Sequence, residues 1–177
     1  FLMFIILSYL IFEKLSKKTI KNLLYFILIC CVFVSIDCLY QFYNYSYEHG
    51  FGNDIFGRNS DGLYGRLSGP FDNLVPGSYL SRLLFFIFIL YSFSCNEDSN
   101  DNHYLKYFLY ISLSLILVVI YFSGERMALA TTLLGYLICL IFVKQFRRII
   151  IISSIIAITF ILININLHPH YKNIEII

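Results

Sequence analysis

Long apolar blocks separated by short polar connections are the feature that most limits the folds open to this 177-residue chain. A helix that crosses a bilayer takes about 20 apolar residues, and several of the blocks approach that length. Only 14% of the residues are charged, whereas a soluble domain carries about 25%. A backbone in hydrocarbon must satisfy its own hydrogen bonds, so each block is predicted to be a helix. The chain is therefore predicted to be all-α, a polytopic bundle of transmembrane helices.

We predict about six spanning segments, the first of them truncated. The segments cover residues 1–12, 23–42, 74–93, 107–122, 127–143 and 149–167. The first block is too short to cross a bilayer, and the chain stops soon after the last one. We interpret residues 1–177 as a single membrane domain and as a fragment of a longer protein.

The charges of the connections predict the orientation in the membrane. Two connections are rich in cations, one with Lys14, Lys17, Lys18 and Lys21 and the other with Lys144, Arg147 and Arg148. Basic connections stay in the cytoplasm, and the four crossings predicted between these two put both on the same side. The opposite face then receives the long loop of about residues 43–73 and the turn 123–126. In the inner membrane of a bacterium that face is periplasmic.

Three arginines on the predicted outer face are candidate binding residues. Arg58 and Arg66 lie in the long loop, and Arg126 lies in the turn beside a glycine. Cations are disfavoured on this face, and the planar fork of Arg suits phosphate and pyrophosphate. The alternative is that they are solvated or pair with acidic neighbours such as Asp72 and Glu125. Arg126 is the strongest candidate because it lies at the membrane boundary.

Two charges lie inside apolar segments, and both need a structural or functional reason. Asp37 and Arg82 are each roughly 9–12 Å below the outer boundary at the rise of an α-helix, and Gln41 shares the helical face of Asp37. Intramembrane charges are usually paired or functional, so we predict an Asp37–Arg82 ion pair, with a role in the site as the alternative. His168 and His170 are interpreted as ordinary polar residues. The net charge of +2 is too small to favour a nucleic-acid partner, and we predict no metal or other cofactor.

Three passages, in order, resemble motifs of the O-antigen ligase and O-antigen polymerase superfamily, bacterial envelope enzymes that act on lipid-linked sugars. The first is DCLYQ at 37–41 with NDIFG at 53–57. The second is RLSGPFD at 66–72, continuing to GSYL at 77–80. The third is SGERMA at 123–128. The resemblance covers most of the chain, but Asp72 departs from the Asn that follows the proline in many relatives. The choice between ligase and polymerase therefore stays open.

The resemblance implies a fold of the lipid-sugar glycosyltransferase type and a donor oligosaccharide carried on undecaprenyl pyrophosphate. The acceptor would be a glycan or a lipid A-core. Outer-face arginines of the family are thought to bind the pyrophosphate, a role that transfers to Arg66 and Arg126. Residues predicted to support them are Asp37, Gln41, Asp72, Arg82 and Glu125. The family's basic His belongs to a later loop and is not assigned to His168 or His170, so the catalytic base stays unassigned.

Two other functions compete with the transferase. One is a transporter or lipid-sugar flippase segment in which Asp37 and Arg82 line a pathway. The other is a non-catalytic membrane subunit. A flippase would place its cations in a central cavity, whereas the candidate arginines of this chain are predicted to lie at one membrane boundary. That difference favours the transferase.

Overall fold

The computed structural model describes residues 15–45, 51–57, 67–71, 75–96 and 102–167, and the regular structure in these ranges is entirely helical. Five α-helices follow one another: α1 Lys17–Tyr43, α2 Pro76–Asn96, α3 Asn102–Phe122, α4 Arg126–Phe142 and α5 Arg147–Leu167. Two short 3-10 helices cover Gly69–Phe71 and Lys144–Phe146. The predicted all-α class is confirmed. The first predicted segment, residues 1–12, lies outside the described residues.

Four of the helical stretches are long and apolar enough to cross a membrane. They are Lys17–Tyr43, Pro76–Phe93, Tyr104–Phe122 and Lys144–Leu167. Helix α4 is apolar as well but has only 17 residues. Four helices of this length and composition are what a multi-pass membrane protein requires, and the number of six spans stays a prediction.

Helix α3 is the centre of the bundle and packs against α1, α2 and α5. Most of its buried side chains are aliphatic, as in Leu109, Leu113, Ile116 and Val119. Helix α4 lies at the side of the bundle and packs mainly on α2. The outer surfaces of α1, α4 and α5 carry many exposed Leu, Ile and Phe side chains, as expected of surfaces that face lipid.

Contacts between helix ends define two ends of the bundle. The ring of Phe42 at the end of α1 stacks on Phe122 at the end of α3, with centroids 4.3 Å apart. The hydroxyl of Tyr43 donates to Asn164 Oδ1 near the end of α5 at 2.8 Å. The first turns of α2 and α4 meet at the same end. We call it the loop end, because the described parts of the long loop lie there.

The opposite end carries those cations of the two basic connections that lie in the described ranges, and it is called the basic end. There Arg147 donates from Nε to the carbonyl of Leu140 at 2.8 Å and from Nη2 to the carbonyl of Ile141 at 3.3 Å. These carbonyls belong to the last turn of α4, which has no intrahelical donors left for them. Arg147 thus caps the C-terminus of α4.

Candidate functional site

Gln41 attaches part of the long loop to α1. Its Oε1 accepts from the amides of Ser68 at 3.0 Å and Gly69 at 2.9 Å, and its Nε2 donates to Ser68 Oγ at 3.1 Å. Only a side-chain amide both accepts and donates in this way. The side chain of Gln41 is fully buried, so residues 67–71 are held rigidly at the loop end.

Gly69 allows this segment to lie close to α1. Its φ is +53°, a left-handed conformation that side chains disfavour. A Cβ at this position would lie 2.6 Å from Cys38 Sγ. On the other side of the segment, Phe71 stacks on Tyr79 of α2 with ring centroids 5.0 Å apart. The segment 67–71 is therefore fixed to both α1 and α2.

Asp37, one turn before Gln41, holds a different part of the loop. Its Oδ1 accepts from the amide of Ile55 at 2.8 Å, and its side chain is fully buried. The turn that follows is closed by a bond from Gly57 N to the carbonyl of Asp54 at 3.0 Å. One face of α1 therefore organises two pieces of the loop.

The predicted ion pair between Asp37 and Arg82 is wrong. The second oxygen of Asp37, Oδ2, has no hydrogen-bond partner, and within the described ranges Arg82 does not approach it. Arg82 is exposed and lines a groove beside α4, while the opposite face of α2, with Leu80 and Leu84, is buried. The prediction rested on matched depth, and depth does not say which way a side chain points around the helix axis.

The groove between α2 and α4 is the main polar cavity of the described part of the bundle, with a volume of about 440 Å³. Its lining residues are Ser78, Ser81, Arg82, Phe85, Glu125, Met127, Ala128 and Thr131. The four from α2 are spaced i, i+3, i+4 and i+7, the spacing of one helical face. We call this cavity the α2–α4 groove.

Two glycines let α2 and α4 approach each other along the groove. A side chain at Gly77 would overlap Ser123 Oγ, and one at Gly135 would overlap the ring of Phe85. Gly77 thus brings α2 against the turn that precedes α4. Gly135 leaves room for the tip of the Phe85 ring against α4, and this ring is part of the apolar lining of the groove.

Hydrogen bonds leave the groove with one strong donor group. The hydroxyl of Ser78 donates to the carboxylate of Glu125. The hydroxyls of Ser81 and Thr131 donate to backbone carbonyls of their own helices. Arg82 makes no ion pair or hydrogen bond with any described residue and is exposed to the groove. Its guanidinium, with five N–H groups, is therefore available to a ligand.

The two helix N-termini at the loop end differ in charge. Glu125 lies over the first turn of α2, where Oε1 accepts from Ser78 and Oε2 is 3.1 Å from the position that a Cβ of Gly77 would take. A carboxylate there neutralises the positive end of α2. Glu125 makes no side-chain bond to the amides of α4, and the first turn of α4 has no acidic residue. The first-turn amides of α4 therefore have no side-chain acceptor from Glu125, and the exposed Arg126 adds a cation at this N-terminus.

The structure locates some of the predicted site residues and not others. Arg126 is the first residue of α4 and is exposed at the loop end, and Glu125 and Arg82 are among the residues that line the α2–α4 groove. Arg66 and Asp72 lie outside the described residues, although they flank the described segment 67–71. Arg58, His168 and His170 also lie outside them. Within the described ranges, no three His, Cys, Asp or Glu side chains are grouped as metal ligands would be.

Sequence reasoning missed three groove residues: Ser81, Phe85 and Thr131. Ser78, Met127 and Ala128 were seen only as parts of motifs. A signal was available, since polar residues at 78, 81 and 82 form a stripe on an otherwise apolar helix. That stripe could have predicted a polar contact surface on α2, but not which helix faces it.

In comparisons with known proteins, no family model, no curated protein and no solved structure matches the chain.

Proposed function

We propose that this chain is the part of a membrane glycan transferase, of the O-antigen ligase or polymerase type, that binds the pyrophosphate of an undecaprenyl-linked donor. The observation that carries the proposal is the electrostatic arrangement at the loop end. The open N-terminus of α4 carries the exposed Arg126 at the loop end. The residues on either side of it, Glu125 and Met127, line the polar α2–α4 groove.

The position of Arg126 suits the headgroup of a membrane lipid. A helix N-terminus carries a partial charge of roughly +0.5, and the side-chain cation adds to it. The pyrophosphate of a lipid-linked sugar lies at the membrane boundary, at the same depth. Arg66 directly precedes Leu67, which is buried in the segment that Gln41 holds at this end. In our proposal Arg66 and Arg126 bind the pyrophosphate together.

The reaction needs these cations because its leaving group is an anion. An acceptor hydroxyl oxygen attacks the sugar carbon that is bonded to the pyrophosphate. The new glycosidic C–O bond forms, and the C–O bond to pyrophosphate breaks with its electron pair leaving on phosphate oxygen. The hydroxyl proton passes to a base that is not assigned here. Fixed arginines stabilise the negative charge as it develops, and the reaction requires no redox cofactor.

The wider setting follows from the same proposal. The acceptor is a glycan or a lipid A-core, and the protein works in the inner membrane of a bacterium with its loop end in the periplasm. The four cations Lys17, Lys18, Lys144 and Arg148 are all exposed and belong to the basic connections that the positive-inside rule places in the cytoplasm.

Only one of the two residues that the competing transporter or flippase function requires is accessible. It required Asp37 and Arg82 to line a common pathway. Arg82 does line an open groove, but Asp37 is buried and holds the backbone of Ile55. The two charges therefore have different surroundings, and only Arg82 is accessible.

The test is glycan transfer by the full-length protein in a strain that lacks its own enzyme. We expect Arg126→Ala to abolish transfer while membrane insertion is unchanged. Arg126→Lys keeps the charge but loses the bidentate fork, so it should transfer far less glycan than the parent. Arg148→Ala, which removes an exposed arginine at the basic end, is the matched control and should transfer normally. Full transfer by an Arg126→Ala, Arg66→Ala double variant would contradict the proposal.

A further inference from the structure

We infer that the α2–α4 groove is a binding subsite for a sugar ring. The inference rests on the proposed function, since it places a sugar next to the pyrophosphate site at Arg126. It adds a binding site of its own, formed by residues other than the two arginines that bind pyrophosphate. Its ligand class follows from the charges, the hydrogen-bonding groups and the apolar lining of the groove.

The charges of the groove are mixed. Arg82 contributes a cation and Glu125 a carboxylate, both among the lining residues. A phosphate or pyrophosphate in the groove would be attracted by one and repelled by the other, at separations where such interactions are strong. A hydrocarbon chain would leave the guanidinium buried without a partner, which is unfavourable. A neutral hydroxylated ligand meets neither penalty.

The hydrogen-bonding groups also match hydroxyls. Arg82 supplies donors only. The hydroxyls of Ser78, Ser81 and Thr131 already donate hydrogen bonds to Glu125 or to backbone carbonyls. They can therefore only accept hydrogen bonds from a ligand. A ligand that fits the groove therefore accepts hydrogen bonds from Arg82 and donates hydrogen bonds to the Ser and Thr hydroxyls. A sugar ring with several hydroxyls does both.

The remaining lining is apolar and fits the other face of a sugar. The tip of the Phe85 ring lies against α4 at Gly135, and Phe85, Met127 and Ala128 form the apolar part of the lining. The C–H face of a sugar ring packs on such surfaces while its hydroxyls point to the rim. The volume of about 440 Å³ lies within the roughly 300–1,000 Å³ of small-molecule sites, which is ample for one or two rings.

The location places the ring beside the reacting bond. Thr131 is five residues beyond Arg126 on α4, a rise of roughly 7.5 Å, and Met127 directly follows Arg126. A sugar in the groove is then within one ring length of a pyrophosphate at Arg126. Two sources of the ring fit this chemistry: the donor sugar attached to the pyrophosphate, or the acceptor sugar whose hydroxyl attacks it.

The experiment measures protection of a cysteine in the groove. Thr131→Cys is introduced into the full-length protein in lipid nanodiscs, and labelling by a charged thiosulfonate reagent is followed over time. Ala130→Cys, exposed on α4 but outside the groove lining, is the matched control, and the parent protein reports labelling of the native cysteines. Ser81→Cys serves as a second reporter on the opposite wall.

Three probes are added in turn: polyprenyl-pyrophosphate-linked glycan extracted from the source cells, the same glycan released by mild acid, and undecaprenyl pyrophosphate without sugar. We expect glycan to slow labelling of Thr131→Cys and Ser81→Cys several-fold without slowing that of Ala130→Cys. Protection by free glycan assigns the ring to the acceptor, and protection by the lipid-linked form alone assigns it to the donor. Equal protection by undecaprenyl pyrophosphate, or protection by no probe, would overturn the inference.

This outcome is separable from that of the proposed function. If glycan protects the groove but the Arg126→Ala, Arg66→Ala variant transfers normally, the pyrophosphate role fails and the sugar subsite stands. If that variant is inactive but glycan protects neither reporter, the subsite fails and the pyrophosphate role stands.

Discussion

Two polar regions lie side by side at the loop end, and they are built in opposite ways. Around α1, Asp37 and Gln41 are fully buried, and their hydrogen bonds go to the backbone of the long loop. In the α2–α4 groove, Arg82 is exposed and makes no hydrogen bond with a described residue. Buried polar side chains that hydrogen-bond the loop, Gln41 through both polar atoms and Asp37 through Oδ1 alone, position the chain. An exposed cation that lines a cavity is instead available to a ligand. Variants of the two regions should therefore affect different measurements.

The largest loss of stability is expected for Gln41→Leu. Leucine has a similar size but leaves the amides of Ser68 and Gly69 without their acceptor. Each buried unsatisfied group costs about 1–3 kcal/mol, so we expect the free energy of unfolding to fall by about 3–5 kcal/mol. Denaturation in mixed micelles measures it. Asn44→Ala, at the exposed end of the same helix, is the control, and equal stability of the two variants would contradict this account of the loop attachment.

A smaller loss is expected for Gly69→Ala. The left-handed backbone and the contact with Cys38 Sγ both oppose a side chain, and strained positions of this kind cost about 1–3 kcal/mol. Adding Cys38→Ala removes the contact but not the strain, so it should restore part of the loss. The free energies of unfolding of the two single variants and the double variant give the coupling between the sites. Strictly additive losses would mean that the close contact carries no energy.

For Gly135→Ala we expect a change in the groove rather than in stability. The new methyl group displaces the ring of Phe85, which is the free end of a side chain, and alanine gains about 1 kcal/mol in helix propensity. The net change in unfolding free energy should be under about 1 kcal/mol, while access to the groove decreases. Slower labelling of Thr131→Cys in this background, without any glycan, measures the loss of access. Ala130→Ser is a matched small change outside the groove and should alter neither quantity.

The smallest change in stability is expected for Arg82→Ala. An exposed residue without an ion pair usually contributes under about 0.5 kcal/mol, whereas removing one partner of a buried pair costs about 3–5 kcal/mol. Thermal unfolding in detergent separates these values. A large loss of stability would indicate that Arg82 does form an ion pair with Asp37, contrary to the structure. In the same variant, glycan should protect Thr131→Cys less well, since the donor group of the groove is gone.

The comparison also shows what sequence could and could not predict. Hydropathy located the five described helices, and the ends near Gly and Pro agree closely, as at Phe122 and Pro76. Helix α1 begins earlier than predicted, at Lys17. Its first turn is polar and is capped by Ser16, whose hydroxyl accepts from the amide of Thr19 at 3.2 Å. A search for apolar residues does not register a polar turn of this kind.

Sequence could predict how deep the site residues lie in the bundle, but not the direction in which each side chain points around its helix axis. Sequence indicated that Asp37, Arg82 and Arg126 lie near one membrane boundary, and the structure places them at one end of the bundle. It could not indicate that Arg82 faces α4 while Asp37 faces the loop. That difference depends on which helices are neighbours, and loop lengths and hydropathy do not specify it for five helices.

The shortness of α4 has a consequence for the membrane itself. Its 17 residues rise about 25 Å, about 5 Å less than the hydrocarbon thickness of a typical bilayer. A helix with such a mismatch draws the lipid headgroups inward, at a cost of a fraction of a kcal/mol per Å. If α4 spans the membrane, as the sequence predicts, the bilayer beside it is expected to be locally thin, with its surface nearer the level of Arg82. Water and headgroups would then reach the groove, and the guanidinium of Arg82 would stay solvated until a ligand arrives.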